Sequence, residues 1–199
     1  RRCAGAGYQI VEAELDDVTW LEIDQVSQQW LTRKARRRPE NRLITRSLLR
    51  GNRYQRIFLM RDASGRLVHL ITLDEIWQDE AVVGYHSNIN RSLESSPKNA
   101  DYAMHAFIIE TLQREDVARL SLGLCPEMGL RETDRRANSY LSLGLDLSRR
   151  AGRQVYNFDG ITQHKEAFCP DQRRPIHVAT QNPWPVIDLL GVFQACSLI

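Results

Sequence analysis

The stretch Arg56-Ile-Phe-Leu-Met-Arg-Asp62-Ala-Ser-Gly65-Arg66-Leu67-Val-His-Leu-Ile-Thr-Leu73 decides the fold. A short apolar run, a turn of Asp, Ala, Ser and Gly, and a second apolar run read as a β-hairpin. Ala81-Val-Val-Gly-Tyr-His86 continues it as a third strand, and polar Asn88 to Asn99, with Ser95-Ser96-Pro97, reads as a loop. Asp101 to Glu115 is the clearest helix, with Tyr102, Met104 or His105, Ile108, Ile109 and Leu112 as its apolar stripe. Leu120-Ser-Leu-Gly-Leu-Cys125 then reads as a strand closed by Pro126. Upstream lie a short strand, Tyr8 to Ala13, and a helix over Val18–Arg33, with apolar Trp20, Leu21, Ile23, Val26, Trp30 and Leu31 at helical spacing. Asp16 and Asp17 precede that helix, and Arg33 and Lys34 end it, as the helix dipole favours. Downstream, helices are expected at Asn138 to Arg150, Ile161 to Phe168 and Pro185 to Ala195, with a strand at Ile176–Ala179. A helix crossing from an antiparallel meander to a parallel strand gives an α/β fold with a mixed sheet flanked by helices.

The 199 residues are 42% hydrophobic and 26% charged, which suits one soluble globular lobe. No run approaches the roughly 18 to 20 apolar residues of a membrane span. The start, Arg1-Arg-Cys-Ala-Gly-Ala-Gly-Tyr8, reads as the interior of a longer chain, with residues 1–15 as the tail of a preceding lobe and 1–199 as a single lobe. Four scattered cysteines (Cys3, Cys125, Cys169, Cys196) form no metal-binding pattern and suit a reducing compartment. No metal and no cofactor are expected.

The net charge of +2 conceals an asymmetry. Between Arg33 and Arg66, twelve Lys and Arg face only Glu40 and Asp62. Arg42, Arg46 and Arg50 make one stripe if Glu40 to Leu49 is helical, either a solvated face or a surface for phosphate, nucleic acid or lipid headgroups. No aromatic residue interleaves with the stripe, which argues against single-strand base stacking.

Familiar catalytic motifs are missing. There is no G-x-G-x-x-G, no G-x-x-x-x-G-K-[ST] and no G-x-S-x-G. The Gly-rich turn that holds acetyl-CoA pyrophosphate in ordinary GNAT enzymes is not matched by Cys125-Pro126-Glu127-Met128-Gly129, because Pro126 lacks an N–H. His86 is either a base or a satisfied structural histidine. Asp101 is either a helix cap or a carboxylate aimed into a cleft.

Several segments in order resemble one family. Trp30-Leu31-x-x-Lys34 with Glu40-x-x-Leu43, the hairpin through Gly65-Arg66, Asn90-Arg91, Asn99-Ala-Asp101-Tyr-Ala-Met104 and Leu122-Gly-Leu-Cys-Pro126 are similar to segments of the C-terminal catalytic domain of phosphatidylglycerol lysyltransferases. Asn157-Phe-Asp-Gly160-Ile-x-x-His164-Lys165-x-x-Phe168-x-Pro170 resembles that family's F-x-G-L-x-x-x-K-x-K-F-x-P signature, and Pro175-Ile-His-Val-Ala179 its closing strand. The sequence departs from the pattern in two places. Asn-Ile-Asn-Arg91 replaces D-L-M-R, and Ala167 stands where a second Lys is usual.

The resemblance implies a GNAT-like fold, usually in tandem lobes, in a bacterial, membrane-associated aminoacyltransferase. Such an enzyme moves an amino acid from aminoacyl-tRNA to the hydroxyl of an anionic phospholipid headgroup. Its partners would be aminoacyl-tRNA, anionic phospholipid, the membrane surface through upstream segments, and a preceding lobe or a second copy. The full-length protein would lie on the cytoplasmic side of the membrane, while this segment itself would be soluble. The resemblance assigns Asp101, Lys165 and Arg91 to catalysis, and His86, Asn90, Asn99, His164, Arg173 and Arg174 to substrate binding. The Arg42, Arg46 and Arg50 stripe would meet tRNA or membrane. Two alternatives are a non-catalytic GNAT-like module that binds nucleic acid or anionic membrane, and an N-acyltransferase acting on another acceptor.

Overall fold

The structure, a computed structural model, describes residues 7–35, 48, 50–123, 158–174, 187, 188 and 191. Two compact units divide the chain, Arg1–Pro39 with Ser47–Gly123, and Glu40–Arg46 with Leu124–Ile199.

The first unit is built on a five-stranded sheet in sequence order. β1 (Gln9–Glu12) leads to helix α1 (Asp17–Ala35), then β2 (Gln55–Arg61), β3 (Leu67–Gln78), β4 (Ala81–Ser92), helix α2 (Ala100–Arg114) and β5 (Leu120–Ser121). β1 to β4 pair antiparallel, and β5 lies parallel to β4, with Tyr85 opposite Leu120 and His86 opposite Ser121. An antiparallel meander, a crossing helix and a parallel fifth strand form the mixed α/β sheet of a GNAT-like lobe, as the sequence leads one to expect.

Strand alternation sends side chains to opposite faces. Ile57 and Leu59 pack with Trp20, Ile23 and Val26 of α1, whereas Phe58 and Met60 pack with Met104, Ile108 and Leu112 of α2. The sheet therefore has an α1 face and an α2 face. Each fully buried Leu, Ile, Phe or Met side chain contributes about 1.5–3 kcal/mol relative to exposure.

One irregularity matters for the site. On β3, Leu73 faces Ser87 and Ile71 faces Asn90, so three steps on β4 match two on β3. This is a β-bulge. The extra residue's backbone is still satisfied, because Ile89 N–H donates to Thr72 Oγ1 at 3.0 Å.

Several expectations need correction. The loop expected from Asn88 begins only after Ser92, because β4 runs on through Asn88, Ile89, Asn90 and Arg91. Polar residues persist in that strand because their side chains find partners on both faces. Asp101 is not a cap, since it lies inside α2 after Asn99, whose side chain makes no capping bond. Tyr102 and Leu21, expected on apolar stripes, are exposed.

In the second unit, helix α3 spans Phe158–Glu166 rather than Ile161 to Phe168. Cys169 takes φ +48 just beyond it. Apart from Leu48, the helix expected at Glu40 to Leu49, with Arg42 and Arg46, lies outside the described residues. So do the helix at Asn138 to Arg150, the strand at Ile176–Ala179 and most of Pro185 to Ala195.

Candidate functional site

Where β4 gives way to α2, a string of polar side chains crosses the α2 face. Asp101 sits in the first turn of α2, where acidic groups are favoured by the helix dipole. Asn90 Nδ2 donates to Asp101 Oδ1 at 2.6 Å. The other end of that amide, Oδ1, lies 2.7 Å from His69 Nε2. Reversing the amide would set its oxygen against a carboxylate, so the network fixes its orientation. His69 Nε2 must then carry the hydrogen. Its other nitrogen, Nδ1, is buried without a hydrogen bond. Burial is the main cause holding the His69 pKa below the usual imidazole range, against the raising effect of the Asn90 bond. His69 is accordingly a neutral donor.

One turn along α2, His105 is 4% exposed. Its Nδ1 lies 3.2 Å from Asp101 Oδ1 and 3.0 Å from the Asp101 carbonyl oxygen. Both are acceptors, so Nδ1 holds the hydrogen. In the neutral ring, Nε2, 3.2 Å from Ser87 Oγ, is then the lone-pair nitrogen and accepts the Ser87 hydroxyl hydrogen. Donors thus point toward Asp101 from both sides: His69 through Asn90, and Ser87 through His105. An acceptor-only, ionised carboxylate is what such an arrangement favours.

The opposite face carries a second group. Asp74 accepts from Gln55 Nε2 at 2.6 Å and from the Asn88 amide. His86 lies opposite Asp74 in the register, and its Nδ1 is 3.3 Å from Ser121 Oγ. Arg91 is 2% exposed, and its guanidinium stands 5.4 Å from the centre of the Trp30 ring on α1. Neighbouring positions on β4 thus divide the residues expected together. Asn90 joins Asp101, whereas His86 and Arg91 face α1.

Other expected site residues are placed as follows. Asn99 is exposed just before α2. His164 and Lys165 lie in the last turn of α3, with the His164 ring edge-on to Phe168 at 5.2 Å. Arg173 is exposed and pairs with Glu166 at 2.6 Å, and Arg174 donates to Gln172. Arg50 pairs with Asp24 at 2.6 Å and stands over the Trp20 ring.

The basic stretch is also less positive in space than along the chain. Besides Arg50, Arg56 is bound by Glu12 and Glu115, and Arg61 by Glu22. Counting charge over neighbouring positions misses acids brought in from elsewhere in the fold. Sequence reasoning also passed over His69 and Ser87, which no motif marks. His105 did have a signal, its i+4 spacing from Asp101 on a helix.

A mixed sheet crossed by one helix, with a carboxylate held where the fourth strand meets that helix, defines a GNAT-like lobe with a polar candidate site. The chain belongs to the family described as phosphatidylglycerol lysyltransferase, C-terminal, which matches residues 1–180. Among solved structures, it is similar to L-PGS from Bacillus licheniformis, with TM-score 0.68 and 15% identity over 100% of this chain and 58% of that one. It is also similar to the DUF2156 C-terminal domain of a protein from Agrobacterium fabrum named as a lysylphosphatidylglycerol synthetase. There the TM-score is 0.69 and the identity 22%, over 100% of this chain and 57% of that one. The chain thus spans a little under three fifths of these relatives. No curated protein matches it in sequence. Among the described residues, no helix is long and apolar enough to cross a membrane.

Proposed function

We propose that the full-length protein transfers an aminoacyl group from aminoacyl-tRNA to a hydroxyl on the headgroup of an anionic phospholipid, at the cytoplasmic face of the membrane. The observation that carries this reading is the Asn90–Asp101 pair in a lobe of this family. The Asp101 side chain is 32% exposed and so open to a substrate, and Asn90 holds it in place.

The donor is an activated ester, so transfer needs positioning, a route for one proton and cations for phosphate. The lipid hydroxyl oxygen bonds to the ester carbonyl carbon and the bond to the tRNA ribose oxygen breaks. The proton lost by the lipid ends on that ribose oxygen. In this scheme Asp101 holds the α-ammonium of the aminoacyl group or helps to take the hydroxyl proton. Lys165 meets the ester oxygen or a phosphate, with His164 and Asn99 beside the substrate. Arg173 and Arg174 hold phosphate, and Arg42, Arg46 and Arg50 meet tRNA or the membrane surface. Arg91, buried against Trp30, suits the positioning of β4 better than contact with a ligand. A preceding lobe or a second copy completes the assembly.

The test is intact-lipid mass spectrometry on cells with and without the full-length protein. A headgroup heavier by one aminoacyl residue is expected, and its loss with Asp101→Ala or Lys165→Ala while the fold is kept. An unchanged lipid profile from folded, expressed protein refutes the proposal, as does full transfer by the double variant.

A further inference from the structure

The Ser87–His105–Asp101 arm of the string has the connectivity of a hydroxyl-activating triad: hydroxyl to imidazole, imidazole to carboxylate. We infer that Ser87 and His105 form the proton relay of the transfer reaction, with Ser87 touching the acceptor hydroxyl and His105 serving as the base behind it. The inference rests on the aminoacyl-transfer reading above and names the groups that move its proton.

Three observations support it. The tautomer is set by the surroundings, because Nδ1 of His105 faces only acceptors in these contacts, which leaves Nε2 basic toward Ser87. Exposure differs along the arm: His105 in the middle is 4% exposed, whereas Ser87 and Asp101 at its two ends are half-buried, so Ser87 is open to a substrate. Finally, the β-bulge puts Ser87 on the same face as Asn90 and Asp101, although the two strand residues are three positions apart, a spacing that regular alternation sends to opposite faces.

As the lipid hydroxyl oxygen attacks the ester carbon, its proton passes to Ser87 Oγ while the Ser87 proton passes to His105 Nε2. The resulting imidazolium is held by Asp101. When the tetrahedral species collapses, the departing ribose oxygen takes the proton back along the same path. No covalent bond to the protein forms, and every group returns to its starting state.

The test uses full-length protein in phosphatidylglycerol vesicles supplied with aminoacyl-tRNA. Ser87→Ala is expected to lower kcat by about 100-fold, the low end for a lost acid–base group, with KM little changed. Ser87→Thr, which restores a hydroxyl, is expected to recover most of that loss. His105→Gln is expected to lose at least as much as Ser87→Ala. In 15N-histidine-labelled protein, the His105 ring is expected as the Nδ1–H tautomer. A hydroxyl that merely fills the structure would leave kcat intact in a folded Ser87→Ala protein. That result, or an Nε2–H tautomer in active wild type, overturns the relay alone. Wild-type protein that makes no aminoacyl-lipid overturns the proposed reaction and the relay with it.

Discussion

Replacing Gly84 by alanine should open the parallel end of the sheet. Gly84 is buried on β4 where β5 approaches. A Cβ there would stand 2.4 Å from the Arg119 carbonyl oxygen, 2.6 Å from Arg119 Cβ and 3.1 Å from the Arg119 carbonyl carbon. Ordinary contact begins near 3.4 Å, so the strands must separate by about 1 Å. The obstacle is largely backbone, so changing a rotamer does not relieve it. Little else holds β5, which has two register pairs with β4 and is preceded by a bond from Tyr85 N–H to Arg119 O at 2.9 Å. Overpacking costs about 1–3 kcal/mol, and the rigid partner puts this site at the upper end. Weakening the Tyr85 bond adds about 1 kcal/mol. A total near 3 kcal/mol is expected from urea midpoints at constant slope, together with faster hydrogen exchange at the Tyr85 amide. Gly65→Ala is the control, because Gly65 has φ +82 and open space around it. It should lose about 1 kcal/mol through backbone strain alone, and Gly65→Asn should recover much of that. A Gly84→Ala protein within about 0.5 kcal/mol of wild type, with Tyr85 exchange unchanged, would refute the steric argument.

Other outcomes follow from the charged groups. Arg56 forks onto Glu12 at 2.7 and 2.6 Å and onto Glu115 at 2.5 and 2.8 Å, and both carboxylates are about two-fifths exposed. Solvent screening limits each pair to about 1 kcal/mol, so Arg56→Met should cost about 2 kcal/mol in urea unfolding, and Arg56→Lys should recover less than half. Arg61 and Arg56 hold Glu22 and Glu115 below the usual 4.5. The stability these pairs give is present above the unfolded value and is lost as pH falls through the folded one, so urea midpoints should drop below about pH 4.5, and less so in Glu22→Gln/Glu115→Gln. His69 stays neutral in the fold because burial lowers its pKa from 6.5, whereas the unfolded chain takes up a proton. Its contribution is therefore lost as pH falls below about 6.5, and His69→Gln should flatten the midpoint profile on the acid side of that value.

The hairpin, the crossing helix and the parallel fifth strand were legible because period-2 and period-3.6 patterns report which side of an element is buried. The extent of β4 was not legible. Asn88, Asn90 and Arg91 look like loop residues until Asp74, Asp101 and Trp30 are seen beside them, and those partners lie between 11 and 61 positions away. The same limit applies to the site. Asp101 and Asn90 could be picked out by family resemblance, but the face each strand residue occupies depends on the bulge opposite Thr72, which leaves no mark in composition. His86 and Arg91 were grouped with Asp101 along the chain and are divided from it by the thickness of the sheet.

That bulge bears on how a lineage can change. Ser87 and Asn90 share a face only because one extra residue stands between them. Substitutions in this tract alter one side chain at a time. A single-residue deletion between Ser87 and Asn90 would instead rephase the strand, turning one of the two away from Asp101 and bringing a residue of the α1 face in its place. Among descendants of this sequence, the length of the tract is therefore held, and gains or losses of residues are admitted at the Asp79–Glu80 turn or in the exposed segment after Leu93.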